Sequence, residues 1–383
     1  MKFVLLLLAA LLPAGSQAAS IEASGYAKSL LRSTRSPLTR SYYWSDLNRA
    51  RLTLDAKATF VRAHVDYDNE WLAGSYLRSA DYARVGFGDA PAYWDMEQTL
   101  SSGTDVYYRH RLYRGWAELS SGASALRFGR QRIAWGTGKL WNPTDFLNPY
   151  SPTALEREER AGVDAAYLRQ GLGRLGQAEA VYTLADRWPQ SDLLARLRGN
   201  AFGTDVSVLG GKTASSTASW AAGGDFAADV LGGSLHGEVL YSDLKTRTPF
   251  WKGLIGYDYD FGAAPAFRAL KDLWLLVEYH CNGQGESNPA RYQPAALLSG
   301  RQVSLARDYL GFGLRKELHP LLRLELYAVA NLDDGSKFLM PSLDWNALSD
   351  LHLSAGWQRF GGGPASEYGR QPNTGYFQAQ LFF

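Results

Sequence analysis

Five charged residues, Lys139, Asp145, Glu156, Glu158 and Glu159, fall within one turn-rich stretch of this chain, residues 135–160. A second polar set, Arg49, Arg51, Arg62, His64, Arg127 and Gln131, lies on short alternating segments that precede it, and with Arg130 and Arg132 it is expected on lumen faces or near the rim. Neither set has the spacing of a nucleophile with its base. The histidines (64, 110, 236, 280, 319 and 352) are scattered, and no G-x-S-x-G elbow is present. Cys281 is the single cysteine, so there is no disulfide framework and no C-x-x-C-H haem signature. No metal site, cofactor or enzymatic activity is expected. The chemistry left is electrostatic. Carboxylates on a loop opposed to guanidiniums on a wall set up a transverse field across a narrow aqueous gap, which orders water and sorts solutes by polarity and charge. The competing reading is a set of wall arginines that pair with nearby acids for stability.

Such a gap needs a wall, and the alternation supplies one. In "NRARLTLDA", Ala50, Leu52, Leu54 and Ala56 share one face, with Arg49, Arg51, Thr53 and Asp55 on the other. Val61, Ala63, Val65 and Tyr67 oppose Arg62, His64, Asp66 and Asp68. The same period of two recurs at 322–331 and 351–358. Outside the N-terminus no apolar run is long enough for a transmembrane helix, so a membrane location implies a closed barrel, the only strand architecture that satisfies its backbone in lipid. About eighteen strands are expected, near 20–31, 47–57, 59–69, 106–119, 123–134 and 161–170 and onward to 375–383, with sixteen as the alternative. Short connections such as 57–58 and 120–122 alternate with long ones at 32–46, 70–105, 135–160, 282–306 and 361–374. An all-β transmembrane barrel of that size encloses an aqueous lumen, whereas an eight-stranded one fills with side chains.

The ends agree with this. Lys2, the apolar run Phe3–Leu12, Pro13, Gly15 and then Ser16-Gln17-Ala18 have the shape of a secretory signal peptide over residues 1–18, which leaves 19–383 as the barrel. At the other end Phe377, Ala379, Leu381 and Phe383 alternate with Tyr376, Gln378 and Gln380. This resembles the closing strand of bacterial outer-membrane barrels, and the resemblance implies that the barrel-assembly machinery recognises Phe383. Tyr42, Tyr43, Trp44, Trp71, Trp251, Tyr257 and Tyr259 fit interfacial girdles. A patch of them on one side would mark a homo-trimer contact.

In this strand order residues 135–160 form the third outward loop, expected to fold inward as a constriction. With no core to hold it there, the loop needs its own order: Gly136 and Gly138 for a reversal, Asn142-Pro143-Thr144-Asp145 and Asn148-Pro149 for turns, and a short helix "PTALEREER" capped by Ser151.

Arg127 to Pro149, with its R-x-G-R-Q, W-G and N-P-x-D portions, resembles a broad set of proteobacterial porin-like outer-membrane proteins. It is similar at R-x-G-R-Q to alginate-export-type barrels. The resemblance implies an integral outer-membrane protein amid lipid and lipopolysaccharide that passes small hydrophilic solutes or ions. It supplies no substrate. The alternative function is a barrel sheathing a periplasmic or surface multihaem cytochrome, to which this chain would contribute no haem ligand. Active import is disfavoured by the lack of a plug domain before the first strand, and nothing indicates nucleic-acid binding.

Overall fold

The structure, a computed structural model, describes residues 20–86, 92–149, 151–157, 159–160, 162–214, 219–244, 248–262, 267–299 and 302–383. The signal-peptide expectation lies outside them, as does Glu158. In chain order the strands begin β1 (Ser20–Arg35), β2 (Tyr42–Lys57), β3 (Val61–Ala73), β4 (Glu97–Ser102), β5 (Val106–Ser121) and β6 (Ser124–Gln131). Next come β7 (Val163–Leu172), β8 (Gly176–Thr183), β9 (Leu193–Ala201), β10 (Thr204–Thr213), β11 (Ser219–Val230), β12 (Gly233–Asp243) and β13 (Phe250–Asp260). The last are β14 (Leu273–Asn282), β15 (Asp308–His319), β16 (Leu322–Asn331), β17 (Lys337–Asn346), β18 (Leu351–Gly361) and β19 (Asn373–Phe382). With β4 set aside, each strand pairs antiparallel with the one before and the one after it, β3 pairing directly with β5, and β1 pairs with both β2 and β19. That closes a barrel of eighteen strands, and the Phe383 backbone exchanges both hydrogen bonds with Gly25 at the seam (2.9 and 3.0 Å).

Alternation sets the two faces. Leu52, Val277, Ile255, Leu310, Leu339, Trp357 and Phe377 are exposed on the outside, while their strand neighbours point into the lumen. No helix among the described residues is long and apolar enough to cross a membrane, so crossing falls to the strands.

Three expectations are corrected. The first outward loop is 36–41 rather than 32–46, because β1 and β2 stay paired up to Arg35 and Tyr42. Tyr43 faces inward and packs on Tyr76 (ring centroids 5.1 Å apart) instead of joining a girdle. Arg130 faces outward: β6 pairs Arg127 with Glu118 on the lumen side, so parity turns Arg130 to the outer face. There it meets Asp164 (2.9 Å) beneath residues 94–96, which run over β6.

Strand β4 is an addition. It lies against the upper edge of β5 where β6 has already ended, which extends the wall above the point at which the chain turns inward. A bulge in β5 at 112–114 also matters. Opposite Asp66 stands Arg114, yet opposite Tyr67 stands Leu112, so Tyr113 is extra and parity switches. Arg109 and Arg111 above the bulge and Arg114 and Trp116 below it therefore share the lumen face.

Candidate functional site

The chain leaves β6 at Gln131 and returns at Val163; the described residues of the intervening segment 132–162, called L3 here, run inside the barrel. The expectation that no core holds the loop is wrong. The buried apolar clusters of the molecule lie in the lumen, and L3 enters each of them. Ile133 and Trp135 pack on Ala165, Tyr167, Val181, Leu194 and Leu209. Leu140 and Trp141 pack on Leu254, Leu276 and Tyr309, with Trp141 stacked on His280 (5.3 Å). Leu155 reaches the cluster of Leu30, Leu47, Leu72 and Leu77. The lumen wall is apolar in patches that match the aromatic residues of the loop.

Polar contacts fasten L3 at two opposite walls, and they differ in kind. On β12, Glu238 accepts hydrogen bonds from the backbone N–H groups of Thr137 and Gly138 (2.7 Å each) and of Thr144 (2.9 Å), and from the Thr144 hydroxyl (2.8 Å). On β14, Glu278 accepts from the N–H groups of Lys139 (2.6 Å) and Leu140 (2.8 Å), with His236 Nε2 2.9 Å from the same oxygen that Lys139 reaches. The W-G-T-G sequence explains why this is possible. A Cβ at Gly136, whose φ is +95°, would lie 2.6 Å from Glu238 Oε1, and one at Gly138 would lie 1.9 Å from the Trp141 carbonyl oxygen. The missing side chain at Gly136 makes room for the Glu238 carboxylate, and that at Gly138 lets the loop fold back on Trp141. The expected turn signals operate as well: Asp145 N–H donates to Asn142 O (3.1 Å), and Asn148 N–H to Asp145 Oδ1 (2.9 Å).

The second wall is β1, β2, β3 and β5. Here L3 offers side chains. Glu156 binds Lys28 and Arg49 Nη1 (3.0 Å); Glu159 accepts from the Tyr26 hydroxyl (2.7 Å) and pairs with Arg51 Nη2 (3.1 Å). Strand register has placed the basic groups over wall acids already, Arg49 with Glu70 (2.5 Å) and Arg51 with Asp68 (2.6 Å). Arg109 bridges Glu70 and Glu97 (2.7 and 2.9 Å), and Arg111 reaches Glu70 (3.1 Å). The cluster balances, with Lys28 and Arg49, 51, 109 and 111 against Asp68 and Glu70, 97, 156 and 159. Burial alone would raise the pKa of Glu159, but Arg51, Arg49 and Lys28 outweigh it and hold it at about 2. Glu156 is lowered in the same way by Arg49 and Lys28. These acids are in contact with their arginines and do not face them across water. No helix forms over 151–157. Thr153 and Arg157 are drawn to β18 and β16, with Gln358 donating to Thr153 O (2.8 Å) and Arg157 3.7 Å over the Tyr327 ring, while Glu156 is drawn to β1 and β2. Tertiary contacts override a nine-residue helical pattern, which is too short to persist alone.

The remaining expected residues lie apart. Lys139 is exposed beside the first anchor. Asp145 is buried, 3.7 Å from Arg160, and burial pushes its carboxyl up to about 7. Arg132, beyond the end of β6, is lowered by burial and then by Arg160 and Arg114 nearby. Gln131 is buried and donates to Ala165 O (3.1 Å). Lower on the wall Arg127 pairs with Glu118 (2.7 Å), His64 sits between Asp55 and Asp66 (2.9 and 3.2 Å), and Arg62 is exposed at the start of β3. Lys28, Tyr26, Glu238 and Glu278 were missed. The two glutamates carry a readable signal, since each is the one acid on the inward face of its strand, in "HGEVL" of β12 and "LLVEY" of β14.

A closed eighteen-stranded barrel with an apolar exterior and an inward third loop is a porin-like, integral outer-membrane β-barrel. No protein-family model matches the chain, and no curated protein matches it. Among solved structures it is similar to Acinetobacter baumannii OccAB1 (TM-score 0.56, 11% identity, covering 95% of this chain and 96% of that one). It is similar to Pseudomonas aeruginosa OccK8, or OprE (0.56, 9%, 95% and 98%), and to Pseudomonas aeruginosa OpdK, solved with vanillate (0.54, 10%, 95% and 98%). At these identities the likeness is one of fold.

Proposed function

We propose that the chain is a diffusion channel of the outer membrane for small polar solutes, with L3 as its constriction and a preference for anions. The observation that carries this is the double fastening: L3 crosses the lumen and is held on β12 and β14 at one side and on β1 and β2 at the other. A barrel of this size is otherwise an open aqueous conduit. The preference follows from which charges remain. The balanced cluster carries no net charge, whereas Arg132 feels Arg160 and Arg114 with Asp145 as a nearby carboxylate. Because burial raises Asp145 to about 7, it neutralises that group only in part at neutral pH. The structurally similar OpdK was solved with vanillate, a small carboxylate, which is compatible with this selectivity.

Small solutes then pass beside L3 through a basic constriction, and Phe383 at the seam serves the barrel-assembly machinery. A cytochrome sheath is disfavoured, since L3 occupies the space a partner would need. The test is single-channel conductance of the refolded mature protein in a planar bilayer, with reversal potential under a salt gradient. Stable anion-preferring openings that enlarge when residues 139–158 are shortened support the reading. Cation preference, or openings indifferent to the shortening, overturns it.

A further inference from the structure

The two limbs of L3 are held by different physics. Residues 133–144 are anchored by backbone N–H groups on buried wall carboxylates and by Trp135, Leu140 and Trp141, each 3% exposed or less. No solute can substitute for backbone donors that are covalently part of the loop. Among the described residues of the limb from Ser151 to Arg160, Leu155 alone joins the apolar clusters; Gln358 donates to Thr153 O (2.8 Å) and Tyr113 and Arg114 to Arg160 O (2.6 and 3.2 Å) near its two ends, and between them it is held by the side chains of Glu156, Arg157 and Glu159. Both carboxylates keep about a fifth of their surface open to the lumen, 21% and 19%. A carboxylate held by side-chain ion pairs is chemically interchangeable with a carboxylate in solution.

We infer that this second limb is a displaceable strap. It fills a cation site made by Lys28, Arg49, Arg51 and the Tyr26 hydroxyl, and a solute bearing two anionic groups takes the place of Glu156 and Glu159 and lets the limb lift. The inference rests on the channel reading above and adds to it the regulation of the constriction.

Charge balance sets the stoichiometry. With both carboxylates in place the cluster is neutral. If the limb lifts, five cations face Asp68, Glu70 and Glu97, an excess of two in a space where Lys28, Arg49 and Arg51 are at most 8% exposed. Arg49 and Arg51 keep Glu70 and Asp68, but Lys28 loses the carboxylate it touches. An uncompensated buried charge is strongly unfavourable, so the strap does not open on its own. One anionic group repairs half the deficit and a dianion repairs all of it. Protonation is no substitute near neutral pH, since Glu159 is held at about 2. The ligand class is therefore a small dianion such as a dicarboxylate, and the strap is its internal mimic.

Trypsin reads the strap directly, because Arg157 and Arg160 both lie on the limb. The refolded full-length mature protein in detergent is digested in sodium succinate and in sodium acetate at matched ionic strength, with cuts after the two arginines mapped by mass. Cleavage tracks the population of the open form, and coupling between sites is commonly about 5- to 150-fold, so about tenfold faster cutting in succinate is expected. The double variant Glu156→Gln/Glu159→Gln should be cut rapidly in both salts and show a raised conductance insensitive to succinate. Should that variant not fold, the wild-type comparison alone decides. Equal cutting in the two salts overturns the strap. If openings in bilayers are anion-selective but cutting is equal, the channel stands and the strap falls. If succinate accelerates cutting while no openings occur in any salt, the strap stands and the channel reading falls.

Discussion

Replacing Glu238 with alanine should release the first limb of L3. The carboxylate receives three backbone N–H groups and one hydroxyl at 2.7–2.9 Å. Leaving a buried donor unsatisfied costs about 1–3 kcal/mol, so four of them set a range of about 4–12 kcal/mol. Two effects pull towards the low end. Lumen water can reach part of the vacated space, and removing a buried carboxylate relieves its own desolvation. We take about 4 kcal/mol, close to a thousandfold in the ratio of docked to released loop. Glu278, Trp135 and Trp141 still hold, so the loop loosens while remaining tethered. Glu238→Gln retains one acceptor oxygen but turns an amino group towards the other donors, so its effect is similar in sign and smaller. Single-channel recording should show a higher conductance with weaker ion preference in the alanine variant, an intermediate change in the glutamine variant, and unchanged thermal unfolding of the barrel on gels. An alanine variant that folds and conducts like the wild type would refute the reasoning, because the glutamate would then not be what docks the loop.

Gly138→Ala attacks the same contact from the loop side, where the new Cβ lies 1.9 Å from Trp141 O. Its conductance should rise as in Glu238→Ala, and the double variant should show less than the sum of the two. Burial moves Asp145 from 3.8 to about 7, so the docked loop binds its proton more tightly than the free loop does. Docking is then firmest below the ordinary carboxylate value and weakens as pH rises from about 4 to about 7. Tryptic cutting of L3 should increase with pH over that window after correction for the pH profile of the protease, and Asp145→Asn should flatten the rise. A slope that persists in the variant assigns it to another group. On the outer face, Asp164→Ala leaves Arg130 buried without its carboxylate beneath Trp94. Breaking a buried pair costs about 3–5 kcal/mol, which should lower the thermal unfolding temperature with conductance unchanged. An unaltered unfolding temperature would show that Arg130 is solvated and not sealed.

What could be read in advance follows from the range of the interactions involved. A period of two is written locally, so Ala50, Leu52 and Leu54 against Arg49 and Arg51 announce their faces without any partner. Pairing is also partly legible, because consecutive strands in a barrel are neighbours, and Arg51 opposite Asp68 follows once the turn at 58–60 is placed. The bulge at 112–114 is not legible, since "RHRLYRGWAE" alternates poorly in either register and only β3 decides which residue is extra. The site fails for a related reason. Its partners lie about 100 to 140 residues apart, Thr137 with Glu238 and Lys139 with Glu278, and no local pattern couples them. The short helix expected at "PTALEREER" fails because its charges, which local rules assign to a helix start, are used on a wall over a hundred residues earlier in the chain. A lumen loop is in this sense the inverse of a strand. The strand's neighbours are dictated by sequence order, whereas the loop's are whichever walls carry complementary groups. The two glutamates that anchor it could still have been suspected, because a lone acid on the inward face of a strand, with no lysine or arginine on that strand's inward face to pair it, needs donors. In this chain the nearest unspent donors are the bare N–H groups of W-G-T-G-K-L.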